Sequence, residues 1–68
     1  MQPTSREQLS LDLVTALRRA LLGLAKAQED RAADQAAKVP YWSPCPASVE
    51  AHRFAAEVLR AEADALVA

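Results

Sequence analysis

Cys45 and His52 are the only cysteine and the only histidine in the chain, and they stand seven positions apart. A thiol beside an imidazole can ionise to a thiolate nucleophile. That chemistry needs a third group to orient the ring, and no motif around either residue supplies one. As metal ligands the two fall short of the set that zinc takes, and only doubling through a dimer would complete it. With a single glycine there is no glycine-rich phosphate loop, and no serine-triad signature is present. The chain is therefore expected not to be an enzyme, with no catalytic residue, no metal site and no cofactor. A metal-dependent or thiol enzyme ranks third among the readings of function.

Binding chemistry is better represented. Tyr41 and Trp42 stand side by side in VPYWSPCPA, residues 39–47, where three of the four prolines also lie. Aromatic side chains dominate binding hot spots, so either ring can anchor a protein partner. The preferred reading is nevertheless a plug, with both rings folded over the open end of a helix pair and the prolines stiffening the corner. Basic residues Arg18, Arg19, Lys26 and Arg31 are interspersed with Asp12, Glu29, Asp30 and Asp34, and the net charge is −1. No positive excess exists to neutralise phosphates, so strong nucleic-acid binding is not expected. A small DNA-associated regulator is nevertheless the second reading, with Arg18 and Arg19 as its phosphate contacts.

These residues must be positioned by helices. The composition is 51% hydrophobic but only 4% aromatic, with Ala and Leu supplying most of the apolar total. Both have high helix propensity. Thr4-Ser5-Arg6-Glu7 fits a capping box, and no proline follows until Pro40. A first helix is predicted over about 5–38. Leu9, Leu13, Leu17, Leu21 and Leu24 gather on one side of it, flanked by Leu11, Leu22 and Ala25. Beyond Leu24 the stripe passes to Ala25, Ala32 and Ala36. Gly23 marks either a close crossing or slight bend, or a split into helices at 5–22 and 24–38; one continuous helix is preferred. The second helix is predicted over about 47–67, capped by Ser48 or begun at one of the prolines. Its apolar face is read as Phe54, Val58, Ala61 and Ala65, widened by Ala51, Ala55, Leu59 and Leu66. Arg53, Glu57, Arg60 and Asp64 make an opposite, solvated face. Glu62 interrupts the apolar arc, either reaching solvent at its edge or pairing with a cation elsewhere.

The chain is thus expected to be all-α: one domain over 1–68, with a tail at 1–4 and a corner at 39–46 between antiparallel helices. A helical hairpin with Trp at its corner resembles the small proteins of type VII secretion systems, whose turn is Trp-x-Gly. Trp42-Ser43-Pro44 carries no glycine and the two arms are unequal, so no family is assigned. Helices of these lengths span roughly 50 and 30 Å. The shorter one leaves the leucine-rich start of the longer one bare, and bare apolar patches mark interfaces. A dimer of hairpins forming a four-helix bundle covers it. The first reading is accordingly an interaction or oligomerisation module that self-associates through Leu9, Leu13, Leu17, Leu21 and Leu24. A further, unidentified protein partner at Tyr41 or Trp42 accompanies it. No segment is apolar enough to span a bilayer, the start of the chain lacks a signal-peptide pattern, and an unpaired cysteine suits a reducing compartment. A cytoplasmic location is expected.

Overall fold

A computed structural model describes residues 3–66, with side chains from residue 10 to residue 66. Helix α1 runs over Pro3–Ala37 and helix α2 over Ala47–Ala65, packed against each other as a hairpin. No strand occurs among the described residues. The side chains of Thr4, Glu7 and Leu9, on which the capping box and the first leucine depend, lie outside those described.

The end of α1 follows from Pro40, which has no N–H to continue the ladder. The last turn tightens instead, with Lys38 N–H donating to Gln35 O (3.2 Å) and Val39 N–H to Ala36 O (3.1 Å). The Ser43 amide then donates to Pro40 O at 2.9 Å, closing a turn with Tyr41 and Trp42 at its two central positions. Pro46, extended at φ −62° and ψ 144°, is the residue before α2, and no side chain caps the helix there. Ser48, expected as a cap, instead lies within the first turn. The Val49 amide donates to Pro46 O at 3.0 Å.

The two helices meet along rows spaced alternately by three and four residues. On α2 the row is Val49, His52, Ala56, Leu59, Ala63 and Leu66. On α1 it passes through Leu21, Ala25, Gln28, Ala32 and Gln35. Alternation of three and four is the seven-residue repeat of coiled-coil packing. Among the described residues the fully buried apolar side chains are Ala25, Ala32, Val49, Ala56 and Ala63, and no polar residue is buried. Ala25 and Ala32 match the expected distal stripe, and Ala36 is half-buried beside them.

Helix α2 corrects the sequence reading. Phe54 is 66% exposed and Val58, Ala61 and Ala65 are exposed as well, so the centre of the expected inner face looks outward, while Leu59 and Leu66, expected at its edge, lie on the inner row. The reason is steric. Alanines on both helices let the backbones approach closely, and a phenylalanine in the seam would hold them apart.

Gly23 is likewise not a close crossing. Helix α1 continues through it, and a Cβ placed there would meet nothing within 4 Å.

Unequal lengths shape the molecule. By a rise of 1.5 Å per residue, α1 with 35 residues spans about 52 Å and α2 with 19 about 29 Å. Asp64 near the end of α2 meets Arg18 at 3.9 Å, so α1 N-terminal to Arg18 extends past α2. The result is a rod of 66 × 16 × 11 Å. Its radius of gyration is 17.4 Å, against about 11 Å for a compact chain of this length.

Since Gly23 faces open space inside a helix, Gly23→Ala is expected to stabilise the fold by about 0.5–1 kcal/mol. Urea unfolding of the two proteins checks this. A loss of stability would show that something approaches the helix at Gly23.

Candidate functional site

His52 sits on the inner row of α2 and is half-buried against α1. Its Nδ1 lies 2.6 Å from Gln28 Oε1 and its Nε2 lies 3.5 Å from Gln35 Nε2. With the proton on Nδ1, the ring donates to Gln28 and accepts from the Gln35 amide, so both nitrogens are engaged. Cys45 is exposed in the corner. The structure therefore does not make a thiol–imidazole pair of the two residues: the ring that would activate the thiol is held by two glutamines. No group of three potential metal ligands occurs among the described residues. Gln28 and Gln35 were missed in the sequence, although their spacing of seven, interleaved with Ala25 and Ala32, places them in the same seam. Gln35 Oε1 is buried without a partner, the one imperfect atom of this polar layer.

Charged residues flank the seam. Arg60 donates to both Glu29 oxygens, from Nε at 3.2 Å and from Nη2 at 2.5 Å. The hydrogen bonds to Glu29, then its charge, raise the Arg60 guanidinium above its ordinary value, with a smaller contribution from Asp64. Asp64 itself meets Arg18. Arg60 and Asp64 were expected to pair within α2 on a solvated face. They reach across to α1 instead, because they flank its contact row. Such exposed pairs add little stability, yet a two-point arginine–carboxylate contact favours one register over its neighbours. Arg18, a candidate phosphate contact, thus lies near a carboxylate, while Arg19 is exposed on another side of α1. Glu62 is exposed and makes no ion pair among the described residues, as expected of an edge position.

The aromatic corner does not form a plug. Tyr41 is 95% exposed and Trp42 74% exposed. The rings pack edge to face on each other, centroids 5.1 Å apart at 84°, at the centre of the turn and away from the helix seam. Behind Tyr41 lies an open cleft of about 220 Å³ lined by Ala36, Val39, Pro40, Ser43, Cys45 and Pro46. It is smaller than the range usual for small-molecule sites, about 300–1,000 Å³.

The largest feature is apolar surface on α1. Leu13 is 70% exposed, and Leu11, Leu17 and Leu24 are about half exposed. Leu21, expected in the same row, is half-buried at the edge of the helix seam. Arg18 and Glu29 lie on one side of the α1 contact row, where they pair with α2. At 100° per residue, Leu13, Leu17 and Leu24 fall on the other side, next to the flank of α2 that carries Ala55 and Val58. One flank of the hairpin is thus bridged by cross-helix ion pairs, and the other carries the leucines, interrupted by Glu62 on α2 and by Arg31 and the Lys38–Asp34 pair toward the end of α1.

Comparison with protein-family models, with curated proteins and with solved structures finds no match to this chain.

Because both rings are solvated, Trp42→Ala is expected to change unfolding stability by less than about 0.5 kcal/mol. A ring plugging a core would cost about 3–5 kcal/mol on truncation. Chemical denaturation followed by circular dichroism distinguishes the two.

Proposed function

We propose that this chain is a helical interaction module that self-associates, as a dimer, through the leucine-rich first helix. The observation that carries this reading is the inverted distribution of apolar residues. Buried positions hold four alanines and one valine, while Leu11, Leu13, Leu17, Leu24, Phe54 and Val58 are exposed. A buried methylene is worth about 0.8 kcal/mol and a buried Leu or Phe about 1.5–3 kcal/mol. Many of the side chains able to stabilise a chain of 68 residues are therefore ones a lone hairpin leaves in water. A second copy offers the same strip and the same need, which makes the contact self-complementary. No catalytic step or cofactor enters the proposal. The exposed Tyr41–Trp42 pair is available for a further protein partner at the far end of the rod, outside the leucine strip.

Light scattering on the intact chain is expected to give twice the chain mass. Leu17→Glu puts a carboxylate into the apolar contact, at a cost of about 3 kcal/mol or more, and is expected to weaken the dimer at least 100-fold. The scattering mass then falls to one chain at micromolar concentration. If Leu17→Glu keeps both mass and stability, the leucine strip is not the association surface.

A further inference from the structure

We infer that two copies pair antiparallel, α1 against α1, about a two-fold axis passing near residue 22 of each α1. The inference rests on the self-association proposed above and adds its direction and register.

The strip has its own three–four spacing: Leu13, Leu17, Ala20, Leu24, Ala27, Arg31. All of these except the half-buried Ala27 are exposed in the hairpin. Laid antiparallel about residue 22, Leu17 of one copy faces Ala27 of the other and Ala20 faces Leu24. Every such layer then holds one large and one small side chain, the alternation that fills space evenly. Leu13 faces the aliphatic stem of Arg31, whose charged end lies at the rim where it reaches water. A parallel pairing stacks like on like. Leu17 then crowds Leu17, Ala20 and Ala27 leave voids against themselves, and Arg31 opposes Arg31 with the same charge.

Coverage favours the same direction. Within one hairpin, α2 lies along α1 from Arg18 onward, leaving the earlier part bare. An antiparallel partner brings its own α2 alongside that bare stretch, because a two-fold axis near the middle of α1 exchanges its covered and uncovered ends. A parallel partner would place both α2 helices at the same end and leave the leucines of the other end with one neighbour only.

The available area suits a dimer. The chain exposes 5399 Å², about 1,200 Å² more than the roughly 4,200 Å² of a compact chain of 7.3 kDa. A standard interface removes about 800 Å² from each partner. The surplus surface covers that requirement.

Cys45, the single cysteine and exposed, reports the direction without any substitution. A spin label on Cys45, read by pulsed electron double resonance, is expected to give an intermolecular distance of about 50 Å at a rise of 1.5 Å per residue. A distance within about two helix diameters, roughly 20 Å, would show a parallel dimer and overturn the inference while self-association stands. A one-chain mass with no intermolecular distance would overturn both. A second measurement is independent of the label. Leu17→Ala is expected to weaken the dimer about tenfold or more, and adding Ala27→Leu to the same chain is expected to restore it, since the two positions face each other. A double variant that dimerises no better than Leu17→Ala alone also rejects the antiparallel register.

Discussion

The close contact of two helices through alanine is the constraint on which the structure depends. Ala25, Ala32, Ala56 and Ala63 recur at intervals of seven on the two helices and are fully buried. Methyl groups permit tight approach and contribute little energy each. A hairpin built on this seam can be narrow, and it cannot be strongly stabilised by what it buries. The exposed Phe54, the solvated aromatic corner and the bare leucines all lie outside this seam, whose fully buried positions hold only alanine and valine while its larger side chains are half-buried.

A seam of near-identical small residues also specifies its register weakly, since one alanine fits against another at several offsets. Polar groups supply the missing specificity. His52 between Gln28 and Gln35 forms a layer in which both ring nitrogens meet a glutamine at one offset, and sliding by one heptad in either direction would leave it only one of the two. A buried polar residue that fixes register at some expense of stability is a known use of such groups in coiled coils. The Arg60–Glu29 and Arg18–Asp64 contacts along one flank select the same offset. The cross-helix ion pairs thus lie on the side of the hairpin away from Leu13, Leu17 and Leu24.

Local rules carried much of the fold. Alanine and leucine propensity with no proline before Pro40 predicted a helix over 5–38, and the structure gives Pro3–Ala37. A second helix expected over 47–67 is found at Ala47–Ala65. The mismatch in their lengths, and the bare leucines it implies, followed from counting residues. Which face of α2 turns inward did not. The arc from Val49 round to Phe54 is apolar almost throughout, so periodicity offered two faces, and size pointed to the one with phenylalanine. The choice was made by packing against the partner helix, where Val49, Ala56 and Ala63 take the fully buried positions, and that is a tertiary fact. The rarity of Tyr41 and Trp42 likewise read as burial, although both rings pack on each other in the turn and stay exposed. Gln28 and Gln35 were missed because a polar residue in a seam is visible only once the seam is known.

If the large apolar residues are buried only between copies, folding and association are one process, and stability must depend on concentration. The most direct measurement is urea unfolding at two chain concentrations a hundredfold apart. The account predicts a midpoint that rises with concentration, by an amount equivalent to about 2.7 kcal/mol per dimer at 25 °C. A midpoint that stays the same at both concentrations, with the scattering mass of a single chain, would show that the alanine seam holds the hairpin by itself and would contradict the account.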